Sequence, residues 1–201
     1  IAHFGYFPAK GEDALALSTE IHCGGSAANA AMALARMGIE TSLITRVGPD
    51  SWALKVYGCL DEAGVSPSGL QRDPAAMTGM MYVVVTPDGE RTILGHRGAN
   101  VYTDPDAIDE DDIRNADLFH LSGYALLTDP QHSAALRALE SACRHGLIVS
   151  LDPGMAMPQK ALEEMRALLP VINILFPSLA EARHITGMRE PEECARALHK
   201  Q

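Results

Sequence analysis

The sequence predicts an α/β fold of three layers, a mostly parallel sheet between two layers of helices, with a small separate β-lid. Three observations carry this: a strand–helix–strand alternation from residue 117 onward, a tight-turn hairpin interposed before it, and an Ala-rich helix introduced by two glycines. Short apolar strands joined by helical crossovers imply parallel pairing with both faces covered, and ligands in such sheets sit beyond the carboxyl ends of the strands.

Taken in order, residues 14–21 form the first extended piece. Gly24 and Gly25 precede the run Ser-Ala-Ala-Asn-Ala-Ala-Met-Ala-Leu-Ala-Arg, which reads as a helix ending at Gly38. Residues 78–86 and 91–95 are β-rich and flank Pro87-Asp88-Gly89-Glu90, a turn sequence, so they predict a hairpin. A hairpin fits poorly inside a parallel sheet. With residues 14–21 it is assigned to a small lid able to close over a ligand, the alternative being an antiparallel edge of the main sheet. Residues 118–122, 147–151 and 171–176 are short apolar runs bounded by turn residues, hence buried strands. Between them residues 130–144 and 159–169 carry apolar side chains at helical spacing, the first stopping at Gly146. The acidic cluster at residues 104–112 reads as a solvated helix start.

The 201 residues are 47% hydrophobic and 21% charged, enough to bury a real core, with no internal repeat or low-complexity linker. A net charge of -10 argues against nucleic acid, whose phosphates need clustered Lys and Arg. The absence of a long apolar run or a leader pattern argues against a membrane partner and for the cytoplasm. Cys23, Cys59, Cys143 and Cys194 are scattered without paired spacing, which predicts reduced, mostly buried thiols and no structural metal. The expected partner is a small molecule, and an acidic protein can still bind phosphate through helix N-termini and magnesium.

The chemistry concentrates at Gly24, Gly25 and Asn29. Glycines let backbone approach a ligand at a helix N-terminus, and a carboxamide both donates and accepts, which suits adjacent sugar hydroxyls. The same residues also fit a close-packed helix in which Asn29 only satisfies backbone.

What separates the two readings is the interval from Gly24 to Gly48. With Ala27, Asn29, Ala31 and Gly38 between them, this stretch resembles the first signature of the ribokinase-like, phosphofructokinase-B (pfkB) type carbohydrate kinases. The likeness continues in the family's order through Val47-Gly48-Pro49-Asp50, Gly64-Val65, Thr78-Gly79, Gly89-Glu90-Arg91, Leu121-Ser122-Gly123-Tyr124 and Leu151-Asp152-Pro153. It implies a sugar or nucleoside substrate, ATP and Mg2+ as cofactors, and a lid that often pairs subunits into a homodimer. By the same resemblance Gly24, Gly25 and Asn29 are sugar ligands, and Asp50 caps the following helix. Arg97 and Asn100, just after the lid, could reach a hydroxyl or carboxylate, a surface Arg97 being the alternative. Pro177-Ser178-Leu179-Ala180-Glu181 is similar to the family's Pro-Asn-x-x-Glu element, which assigns Glu181 to magnesium through water and Ser178 to phosphate. Ser178 departs from the family's asparagine, and as a plain residue it is a good helix N-cap.

The family's Gly-Ala-Gly-Asp element, which supplies the catalytic base and anion hole, does not occur in residues 1–201. Ile1 opens the chain without the family's first strand and its substrate-binding aspartate. The expectation is therefore a domain cut at both ends, with its base downstream of Gln201 and no turnover by these residues alone. Walker, dinucleotide, zinc-protease and serine-hydrolase motifs are absent as well. The reading is an ATP-dependent carbohydrate kinase, with a non-catalytic sugar- or nucleoside-binding relative as the alternative. A dinucleotide-dependent oxidoreductase would rest on the α/β alternation alone.

Overall fold

The computed structural model describes residues 1–154 and 162–199. Its first half contains β1 (Ala2–His3), β2 (Ser18–Thr19), α1 (Ser26–Arg36), β3 (Thr45–Val47), α2 (Ser51–Ala63), β4 (Leu70–Arg72), β5 (Thr78–Val85) and β6 (Arg91–Gly98). Then follow α3 (Glu110–Arg114), β7 (Leu118–Ser122), α4 (Gln131–Arg144), β8 (Ile148–Asp152), α5 (Leu162–Leu168), β9 (Ile174–Leu175), α6 (Leu179–Thr186) and α7 (Pro191–His199).

Among the described residues two of the three sheets are wholly parallel. β7, β8 and β9 form a parallel sheet in that order, and β3 pairs with β4, also parallel. Alternation along β7 and β8 sends Phe119, Leu121, Val149 and Leu151 to one face. There they meet Ala134, Ala138 and Leu139 of α4, Met165 of α5 and Ile185 of α6 in the larger core. Leu151 and Met165 are fully buried, each contributing about 1.5–3 kcal/mol by the usual transfer value. A second core packs Ala31 and Met32 of α1 against Leu60 and Ala63 of α2. The alanines of α1 serve this purpose, since small side chains let two helices approach closely.

The remaining sheet, β2-β1-β5-β6, is mixed. β5 and β6 form the hairpin, in register from Thr78↔Gly98 to Val85↔Arg91, so the second strand runs three residues past the predicted end at 95. Of residues 14–21 only Ser18–Thr19 are a strand, antiparallel to β1, while β1 itself lies parallel beside β5. Two-residue strands are too short to show a period, which is why β1 escaped the sequence reading.

Two further boundaries differ from expectation. The strand predicted over residues 171–176 is confined to β9, because Leu169–Val171 is a tight 3-10 turn around Pro170, which has no N–H to give to a ladder. Helix α5 begins at Leu162, and the predicted residues 159–161 lie outside the described residues. Among the described residues no helix is long and apolar enough to cross a membrane.

The cysteines also depart from expectation. Cys194 is buried, Cys23 and Cys59 are half-buried, and Cys143 is exposed on the last turn of α4, so most of the thiols are within reach of solvent.

Candidate functional site

The helix start at α1 faces the carboxyl ends of β7 and β8. Gly25 is its N-cap, with φ 113° and ψ 141°, a backbone state that L side chains rarely adopt. Gly24, Gly25 and Asn29 are all exposed there, leaving backbone N–H groups and one carboxamide open to a ligand. The Ser26 hydroxyl donates to Asp152 Oδ2 at 3.2 Å, fastening this helix end to β8, and Asp152 Oδ1 accepts from Gly154 N at 3.2 Å.

Ser122, level with Asp152 in the β7–β8 ladder, is 7% exposed, and its hydroxyl has no partner among the described residues. A buried hydroxyl is normally hydrogen-bonded, so this one is an open polar valence beside a carboxylate. His120, on the same face, exchanges a hydrogen bond with Ser150 Oγ at 2.9 Å and meets Phe176 edge-on. Burial pushes its pKa down from the ordinary imidazole value, the Asp152 carboxylate opposing. After β7 the chain must turn beneath β8: a Cβ on Gly123 would come within 1.8 Å of Pro153 O. Ser26, Ser122 and Asp152 were not identified as site residues from sequence. Ser122 and Asp152 lie at strand ends within stretches that resemble the family, but nothing local joins them to Ser26, since Ser26 and Asp152 lie 126 residues apart.

Arg97 and Asn100 belong to a polar network at the root of the lid. The Arg97 guanidinium donates to Tyr124 O at 2.7 Å and to Gln131 Oε1, and Gln131 Nε2 donates to Asn100 Oδ1 at 3.0 Å. Thr45 Oγ1 donates to that same Asn100 oxygen at 3.0 Å. Burial pulls the Arg97 pKa down from its ordinary value. These contacts join the end of β6 to β3 and to the start of α4, so both side chains have a positioning task in the protein itself.

Asp50 anchors the other strand of the hairpin at the same root, where Thr78 pairs with Gly98. Its carboxylate caps α2 through Ala53 N at 3.0 Å, accepts Thr78 N at 2.7 Å and accepts the Thr78 hydroxyl at 2.8 Å. Burial raises its pKa, but the Thr78 and Ala53 bonds outweigh that and leave it below the usual carboxylate range.

Ser178 and Glu181 close a capping box at the start of α6. Ser178 Oγ accepts Glu181 N at 3.3 Å and Glu181 Oε2 accepts Ser178 N at 2.6 Å. Ser178 is exposed, whereas Glu181 is buried with one oxygen committed to backbone. No cluster of three or more His, Cys, Asp or Glu side chains able to hold a metal ion exists among the described residues.

The family model described as pfkB family carbohydrate kinase matches residues 3–201. A probable fructokinase-4 from Arabidopsis thaliana is 30% identical over 171 residues, 82% of this chain and 52% of that protein. An ATP-dependent ribose-1-phosphate kinase from Halopiger xanaduensis is 36% identical over 169 residues, 84% of this chain and 53% of that protein. The fructokinase structure from Halothermothrix orenii superposes with a TM-score of 0.79 at 26% identity, covering 94% of this chain and 68% of its own. A PfkB protein from Polaromonas sp. JS666 shares the fold with a TM-score of 0.83 at 22% identity, covering 99% and 69%. The chain spans about half the length of the curated relatives it matches.

Proposed function

Since the chain belongs to the pfkB family of carbohydrate kinases, we propose that the protein containing it transfers the γ-phosphate of ATP to a hydroxymethyl group of a sugar or a related sugar-like acceptor. The observation that carries this reading is the meeting of the Gly24–Gly25 helix start with Asp152 and the open Ser122 hydroxyl at the strand ends. Exposed amides, a carboxamide, a carboxylate and an unpaired hydroxyl are the donor and acceptor mix that a polyol requires. Asn29 is assigned to hydroxyl pairing, and Gly24 and Gly25 to close backbone approach.

Residues 1–201 contain no Gly-Ala-Gly-Asp element, so we assign them the acceptor side of the reaction and give the base to another part of the protein. Phosphoryl transfer is chiefly positioning and charge stabilisation, and this part contributes the positioning. Arg97 and Asn100 support that task by fixing the lid root. A divalent ion such as magnesium, when bound with ATP, would neutralise the phosphate oxygens. Glu181 suits only an indirect role, because Oε2 is held by Ser178 N and leaves Oε1 to orient a water of the ion's hydration shell. Ser178 acts first as a cap, and phosphate contact is its secondary assignment. The free cysteines support a reducing compartment, the cytoplasm. The exposed Met81, Tyr82, Ile93 and Leu94 on the lid hairpin support a homodimer formed through it.

A coupled ADP-release assay on the full-length protein, with fructose, other hexoses, pentoses, pentose phosphates and nucleosides as acceptors, tests the reading. Sugar-dependent ADP release is expected. Binding of sugars without turnover by any acceptor would replace it with the non-catalytic alternative.

A further inference from the structure

Cys23 stands immediately before the Gly24–Gly25 turn, and its Sγ lies 3.5 Å from the carbonyl oxygen of Lys55 on α2. Lys55 and Cys59 are one turn apart on the same face of that helix. A helical side chain leans toward the N-terminus of its own helix, so the Cys59 thiol hangs over the turn that Cys23 touches. Both side chains are half-buried against the same apolar cluster as Ala27, Ala28 and Val56, and neither is in a disulfide. Their 36-residue separation in sequence hides a pairing that α1–α2 packing creates.

We propose that Cys23 and Cys59 form a reversible disulfide which ties the Gly24–Gly25 turn to α2 and so withdraws the helix start from sugar binding. The effect on sugar rests on the kinase reading above; formation of the bond does not. The oxidant required is a low-molecular-weight disulfide such as glutathione disulfide. One of the two thiols, as its thiolate, attacks one sulfur of the oxidant, forming a mixed disulfide and releasing one glutathione. The other thiol, on losing its proton, attacks the protein sulfur of that mixed disulfide and expels the second glutathione. Two protein thiols thereby lose two hydrogens, and the oxidant is reduced to two glutathione thiols.

Burial, then the neighbouring Cys59 thiol, pushes the Cys23 thiol up to about 12, with Glu62 adding and Lys55 opposing. The attacking species in each step is a thiolate, and a thiol already beside a mixed disulfide is placed to resolve it. Transient, sensing disulfides of this kind are the sort compatible with a reducing cytoplasm.

The test is to incubate full-length protein with glutathione disulfide, alkylate the remaining thiols, and map peptides without reduction. A peptide pair joining Cys23 to Cys59 is expected, reversed by dithiothreitol and lost in Cys59→Ser. Sugar-dependent ADP release should fall roughly 10- to 100-fold on oxidation, as small misplacements of a binding loop do, while Cys59→Ser keeps its turnover under the same oxidant. Finding Cys23 and Cys59 separately alkylated or separately glutathionylated, with no joined peptide, overturns the proposal. Cross-linked protein that turns over as fast as reduced protein overturns its sugar half. Reduced protein without any turnover sinks the kinase reading instead, and the peptide map still decides the disulfide.

Discussion

Asn29 and Asp50 illustrate how single polar side chains divide between ligand and scaffold. Asn29 is exposed in the first turns of α1, and its main chain is already satisfied by Asn29 N donating to Gly25 O at 2.8 Å. The carboxamide is thus available, and Asn29→Ala in the full-length protein is expected to weaken sugar binding by about 1–3 kcal/mol, as removing one partner of a buried hydrogen bond does. Isothermal calorimetry measures it, and unchanged affinity in the folded variant removes Asn29 from the site. Asp50 is the opposite case, with three hydrogen bonds binding α2 to β5. Asp50→Asn keeps one acceptor but points an amide at Thr78 N, so a loss of about 1–3 kcal/mol at neutral pH is expected. Because the folded pKa is depressed, this stabilisation is present above the unfolded value of about 3.9 and is lost as pH falls through the folded one. Thermal melts should therefore show the gap between wild type and variant closing as acid is added. A gap independent of pH would show that the charge of Asp50 contributes nothing.

At the scale of elements, the site depends on how closely β7 and β8 pass. Gly123 has Pro153 O where a Cβ would sit, and the contact is backbone to backbone, so no side-chain rotation can relieve it. Gly123→Ala must push the chain after β7 away from β8, where Ser122 and Asp152 lie level. A destabilisation of about 1–3 kcal/mol is expected from overpacking, together with weaker sugar binding. Chemical denaturation and calorimetry on the same variant check both, and a variant as stable as wild type would show that this turn tolerates the shift. The network Arg97–Gln131–Asn100–Thr45 belongs to the same scale, since it is the only described side-chain chain linking β6, α4 and β3. Its residues hold the lid in place whether or not they also touch a ligand.

For the whole molecule, the mixed sheet β2-β1-β5-β6 is where association is expected. Its hairpin exposes Tyr82 and Leu94, partners on one face, and Met81 and Ile93 on the other. A small sheet with large apolar side chains open on both faces is a poor end state in water. The full-length protein is expected to sediment as a dimer at micromolar concentration, and Tyr82→Glu to shift it toward monomer. A wild-type protein that sediments as a monomer would dismiss the lid as an interface.

Sequence alone determined whatever depends on local spacing. The short apolar runs at β7 and β8, the Ala-rich helix opened by Gly24 and Gly25, the hairpin turn at residues 87–90 and the caps at Asp50 and Ser178 all show within a few residues of sequence. Local hydrogen bonding and periodicity leave a mark in such windows, and the Gly24–Gly48 interval was long enough to identify the family before any fold was in view. Tertiary structure decided whatever depends on residues brought together from afar. Ser26 meets Asp152, Cys23 reaches the Lys55 turn, and Ala2–His3 becomes a strand only because β5 and β2 lie on either side of it. Nothing in a short window records these contacts, because they depend on α1 packing on α2, on the Ser26–Asp152 bond and on the pairing of β1 with β2 and β5. The physical reason is that local preference selects the elements, whereas burial and hydrogen-bond satisfaction across the chain select which of their ends converge.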